Sequence, residues 1–187
     1  MKSAYILHGC CDEEEYFSDE YPSPSNFHWL PWLQKQFLKK GYFCQTPEMP
    51  QPYIGKYPEW KRVFDIFPVD KETSLIAHSC SCGFFLRWLS DTRQEIDKLV
   101  LVAPWLDPAH TRGDFLKFIL DPQLAQRVNE MHIFYSEDEF VEGVKETVDL
   151  ILKTYPIAKL HTFEEMGHFC LGDMGTTEFP ELLKLFD

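Results

Sequence analysis

Short apolar runs rich in β-branched and aromatic residues recur along the chain, and helical patterns fill the intervals between them. The runs are AYILH (4–8), YFCQT (42–46), TSLIAH (73–78), KLVLVA (98–103), MHIFYS (131–136) and AKLHTF (158–163). Their length and lack of strict alternation suit strands covered on both faces. Between them lie HWLPWLQKQFLKKG, stopped by a glycine, then PEWKRVFDIF, CGFFLRWLSDT, EGVKETVDLILKTYP and a terminal TEFPELLKLF, all read as helices. The alternation predicts one α/β domain over residues 1–187, with a mostly parallel sheet of about six strands and helices on both faces. Ligands bind such sheets at the carboxyl ends of the strands, so chemistry is expected in the segments that follow them.

Composition narrows the function. With 44% hydrophobic and 16% aromatic residues the chain can bury a core, and no repeat is visible. Eighteen Lys and Arg stand against 30 Asp and Glu, and a net charge of -12 repels phosphate backbones and anionic lipid. Neither a nucleic-acid nor a membrane partner is expected. The opening MKSAYILHG has too short an apolar stretch for a signal peptide, and a cytoplasmic location is expected. Cysteines at 10, 11, 44, 80, 82 and 170 are expected as free thiols. Neither CC nor CSC has zinc-site spacing, so no metal is expected.

LIAHSCSCGFF (75–85) reads as strand, sharp turn and helix, the setting of a nucleophile elbow. The residues two before and two after the nucleophile must be small there. Ser79 is flanked by Ala77 and Ser81, whereas Cys80 is flanked by the bulky His78. Ser81 passes on size but lies further from the strand end, so Ser79 leads and Ser81 is the reserve. A bland alternative makes Ser79 a helix N-cap.

A serine hydroxyl needs a base in hydrogen-bond reach, itself oriented by a carboxylate. Chain order Ser, acid, His fits MHIFYSEDEF, which delivers Glu137, Asp138 and Glu139 after one strand, and LHTFEEMGHF, which delivers His168 after the last. Asp138 is expected as the acid, with Glu137 and Glu139 as solvated loop charges. His28, His78, His110, His132 and His161 are read as packing or surface residues, and His8 as a brace for the loop beginning at Gly9. The oxyanion of an acyl-transfer intermediate needs preorganised N–H donors. The amides of Cys10 and Cys80 are the candidates, which leaves their thiols incidental. Trp29, Trp105 and Phe140 are expected to line a small apolar pocket.

The pieces YILHG, HWLPWL, PEMPQP, LIAHSCSCG, LVLVAPW, IFYSEDEF, MGHF and TEFPELL run in this order from about residue 4 to the C-terminus. Together they resemble the small serine hydrolases related to retinoblastoma-binding protein 9 and the bacterial YdeN proteins, a branch of the α/β-hydrolase superfamily. The resemblance implies a compact α/β-hydrolase fold, Ser79, Asp138 and His168 as a triad, and hydrolysis of small esters without metal or cofactor. Ala77 and Ser81 depart from the glycines commoner in that family. The segment between Gly9 and His28 is longer and more acidic, and no Leu-x-Cys-x-Glu motif is present, so a retinoblastoma-type partner is not implied.

The sequence therefore points to a serine hydrolase acting on a small-molecule acyl substrate. Two rivals stand beside it: a non-catalytic binding module that kept the fold, and thiol chemistry at Cys80 or Cys82.

Overall fold

The apolar runs become the strands of a single parallel sheet in the computed structural model, which describes residues 1–187. They are β1 (Ser3–Leu7), β2 (Phe43–Gln45), β3 (Thr73–His78), β4 (Ile96–Val102), β5 (Val128–Ser136) and β6 (Ala158–Phe163). Their spatial order is β2-β1-β3-β4-β5-β6, every neighbouring pair parallel. β3 is buried at all six positions, which is why its sequence shows no alternation.

Seven helices accompany the sheet: α1 (Glu13–Phe17), α2 (Leu30–Lys39), α3 (Tyr57–Phe64), α4 (Cys80–Thr92), α5 (Val144–Thr154), α6 (Leu171–Met174) and α7 (Pro180–Leu183). The chain moves outward from β1 to β2, then crosses back to β3 and advances the other way. Right-handed crossovers in opposite directions put α2 on one face and α3, α4 and α5 on the other. Aromatic packing agrees. Phe64 of α3 meets Phe84, Phe85 and Trp88 of α4, whereas Phe37 of α2 meets Phe186 at the C-terminus. Gly41, at φ 81°, ends α2 in the left-handed conformation that glycine adopts freely.

The order reverses at β1 and β3, and a doubly wound sheet opens its crevice at such a point. Leu7 pairs with Ala77, which brings Gly9 level with Ser79. Two long segments border the crevice. The acidic one after β1 folds α1 and a 3-10 turn at Pro24–Asn26. The one after β4 runs through turns to a 3-10 turn at Pro122–Gln126 and walls a cavity of about 690 Å³ against α5, to which Ser79 does not contribute. No helix is long and apolar enough to cross a membrane.

Candidate active site

Ser79 joins β3 to α4 with φ 57° and ψ −122°, a backbone conformation sparsely populated by non-glycine residues and costing about 1–3 kcal/mol. Three main-chain hydrogen bonds hold it: its N–H donates to Val102 O (2.9 Å), and its carbonyl accepts from Cys82 N–H (3.0 Å) and Trp105 N–H (3.2 Å). Two glycines stand where neighbouring backbone and side chains crowd this turn. A side chain on Gly9 would sit 3.1 Å from Ser79 Cβ, and one on Gly83 would sit 2.9 Å from Trp105 O. The Ser79 hydroxyl makes no capping bond to α4. It lies instead 2.9 Å from His168 Nε2.

His168 follows Gly167 in the loop after β6, and its backbone is tied down at both ends. Its N–H donates to Asp173 Oδ2 (3.0 Å), and its carbonyl accepts from His78 Nε2 (2.7 Å). Nδ1 of His168 lies 3.0 and 2.9 Å from the two carboxylate oxygens of Glu139. A carboxylate only accepts, so Nδ1 carries the proton and Nε2 is left to accept from Ser79. The arrangement is a continuous chain from Ser79 through His168 to Glu139.

Asp138, expected as the acid, does not touch His168. Its carboxylate accepts from the Ser136 hydroxyl, from Gly167 N–H (2.8 Å) and from Met166 N–H (3.2 Å). The Ser136 bond above all, and then the Gly167 amide, hold its pKa below the usual carboxylate value. Asp138 thus clamps the loop that carries His168, while Glu139, whose side chain is 2% exposed, occupies the place behind the imidazole. The turn closed by Glu139 N–H on Ser136 O presents successive side chains in different directions, and the longer Glu reaches the ring from one residue further on.

Ser81 is fully buried, and its hydroxyl donates to His8 O, which removes it as a reserve nucleophile. His8 does brace the first loop: Nδ1 donates to Gly9 O (2.7 Å) and Nε2 accepts from Met49 N–H (2.9 Å). His78 is buried and burial, then the neighbouring His168, push its pKa well down, so it is a neutral donor to the His168 carbonyl. Burial also lowers His28, to about 4.

The cysteines depart from expectation. Cys10 and Cys80 form a disulfide, leaving Cys11, Cys44, Cys82 and Cys170 free. Burial raises the Cys11 thiol to about 11, with Glu15 and Glu48 adding to it, and the Cys170 thiol to about 12. Cys82 is enclosed, its thiol donating to Ala77 O (3.3 Å), and burial pushes it up as well. Bonded or protonated thiols are poor nucleophiles, so the thiol rival loses its basis. The amide N–H groups of Cys10 and Cys80 make no hydrogen bond to another group of the protein. Both stand next to Ser79, one on the loop after β1 and one at the start of α4.

A cavity of about 270 Å³ opens on Ser79 and His168, walled by Cys11, Glu15, Tyr21, Phe27 and His28. Its outer wall is the acidic segment, pinned where Ser25 N–H donates to Glu48 Oε2 (3.0 Å). The expected aromatic lining falls elsewhere. Trp29 is fully buried and its Nε1 donates to Phe169 O (3.1 Å), because the start of α2 packs it under the sheet. Trp105 walls a neighbouring cavity with Pro108 and Val141. Phe140 is 69% exposed, its ring 6.2 Å from that of His168. Tyr21 and Phe27 were not singled out in the sequence, since nothing in their spacing shows that the segment folds back over Ser79.

This fold and site define a serine hydrolase of the α/β-hydrolase class. The chain belongs to the serine hydrolase family, whose family model matches residues 20–187. Within that class it is YdeN-like: it is similar to the ydeN gene product of B. subtilis, with 25% identity, coverage of 100% of this chain and 97% of that one, and a TM-score of 0.83. It shares its fold with a serine hydrolase of the hydrocarbon-degrading bacterium Cycloclasticus zankles (17% identity, 100% and 89% coverage, TM-score 0.62). The same holds for the carboxylesterase CesB of Bacillus subtilis (13% identity, 99% and 82% coverage, TM-score 0.57). No curated protein matches the sequence.

Proposed function

We propose that the protein hydrolyses small carboxylic esters, or related acyl compounds, through an acyl-enzyme on Ser79. The observation that carries this reading is the hydrogen-bonded chain from Ser79 Oγ through His168 to Glu139 at a strained strand-to-helix turn, the geometry of a nucleophile elbow and triad. His168 Nε2 takes the hydroxyl proton as Oγ attacks the acyl carbonyl. Glu139 holds the tautomer and stabilises the imidazolium. The Cys10 and Cys80 amides stabilise the oxyanion, the leaving alcohol takes the proton back from His168, and water repeats the cycle to release the acid.

The cavity of about 270 Å³ lies at the small end for ligand sites and favours short acyl and alcohol groups. Glu15 on its wall disfavours anionic ones. A carboxylesterase among the structural relatives fits this reading. A cofactor has no step to perform in the cycle, and a cytoplasmic setting belongs to the proposal, with cell fractionation as its check. A non-catalytic binding module would have no use for Ser79, His168 and Glu139 held in register. The test is turnover of short neutral aryl esters by Ser79→Ala. We expect a loss of about 10⁴-fold or more in kcat with the fold retained; an active Ser79→Ala protein would end the proposal.

A further inference from the structure

The two residues proposed to supply the oxyanion amides are the same two that share a covalent bond. Cys10 and Cys80 are 70 residues apart in sequence, on different elements, with Cα atoms 6.0 Å apart. Their backbones are not equally fixed. Cys80 opens a 13-residue helix, and Ser79 beside it is held by three main-chain bonds. Cys10 has no such support. The loop after β1 is tied as far as His8, whose carbonyl accepts from Ser81 and whose Nε2 accepts from Met49 N–H. Gly9 O accepts only from the adjacent His8 ring. Neither the N–H nor the carbonyl of Cys10 makes a hydrogen bond within the protein, and the next fixed point is Asp12 O at the start of α1. Between His8 and Asp12 the disulfide is the bond that tethers the loop to the Ser79 turn.

We propose that the Cys10–Cys80 disulfide is a positioning device that holds the Cys10 amide against the developing oxyanion, so that the hydrolase is fast when the pair is oxidised and slow when it is reduced. This rests on the proposed acyl transfer at Ser79. Oxyanion donors act only when preorganised, and displacement by about 1 Å costs on the order of 100-fold in rate. Reduction by a dithiol such as dithiothreitol balances simply. The reagent gives up two electrons and two protons and closes to its own disulfide, and Cys10 and Cys80 become two thiols. The Ser79–His168–Glu139 chain does not pass through the bond and is left in place.

The test uses the full chain, oxidised, reduced with dithiothreitol, and as Cys10→Ala/Cys80→Ala, which keeps both N–H donors. Turnover of a short neutral aryl ester is measured per active site, counted by complete fluorophosphonate labelling, and alkylation counts the thiols. The expected result is four thiols before reduction and six after, and a fall in kcat of about 10- to 100-fold on reduction. KM should stay within roughly two-fold and the pH profile of kcat/KM should be unmoved, as expected for an interaction made only in the transition state. Oxidised glutathione should restore the rate. The double variant should sit at the reduced level and ignore the reductant; if it fails to fold, the reduced wild-type protein carries the comparison. Unchanged kcat per labelled site in the reduced protein, or six thiols before reduction, would overturn the positioning role and leave the hydrolase reading standing. Absence of Ser79-dependent turnover in the oxidised protein would overturn both.

Discussion

The Glu139 carboxylate lies 2.9 Å from His168 Nδ1, while Asp138, one residue earlier, faces away onto the backbone of Met166 and Gly167. The two acids thus divide the work: one orients the imidazole and the other shapes the loop that carries it.

That division predicts different phenotypes. Glu139→Gln should lower kcat by about 10³- to 10⁴-fold with little change in stability, since the amide can hold the wrong tautomer. Asp138→Asn should retain most of the activity but lower the thermal midpoint, because it weakens acceptance of two amides and a hydroxyl. Esterase kinetics and thermal unfolding of both variants check this. Equal loss of activity in both would contradict the assignment.

Ser81 stands two residues from Ser79 but its hydroxyl is spent on His8 O. Ser81→Ala should therefore remain active and label normally with a fluorophosphonate, while losing about 1 kcal/mol of stability from the unpaired carbonyl. Denaturant unfolding measures the loss, and abolished labelling would bring Ser81 back as a candidate.

Stability should fall on mild acidification. Burial depresses the pKa values of His8, His28 and His78 in the folded protein, that of His28 to about 4. Depressed groups take up protons on unfolding, so their contribution is intact above the unfolded value of about 6.5 and is lost as pH falls toward the folded values. The slope is about 1 kcal/mol per pH unit for each histidine. Urea unfolding at pH 7.5 and pH 5 should show a lower midpoint at pH 5; an unchanged midpoint would mean that these rings are protonated in the folded state.

The sheet was legible because buried parallel strands are continuous apolar runs, and TSLIAH is buried at every position. Ser79 and His168 were legible because each follows a strand that ends at the crevice. The acid was harder to place. Which of three consecutive carboxylates faces the ring depends on how the turn after Ser136 rotates successive side chains, which no local pattern records. The disulfide joins residues 70 apart and requires the register of β1 on β3, whereas free thiols are what chain length and low cysteine density lead one to expect. Trp29 misled for a related reason: a tryptophan at a helix start can face a crevice or the core, and here the packing beneath α2 takes it.

The proposed reaction stands on Ser79 as an activated nucleophile. Labelling the oxidised, folded protein with a fluorophosphonate probe and mapping the modified peptide by mass spectrometry checks this. One modification is expected, on Ser79, lost in Ser79→Ala and strongly slowed in His168→Ala. A folded protein that takes no label, or that carries it on another residue, would end the proposal.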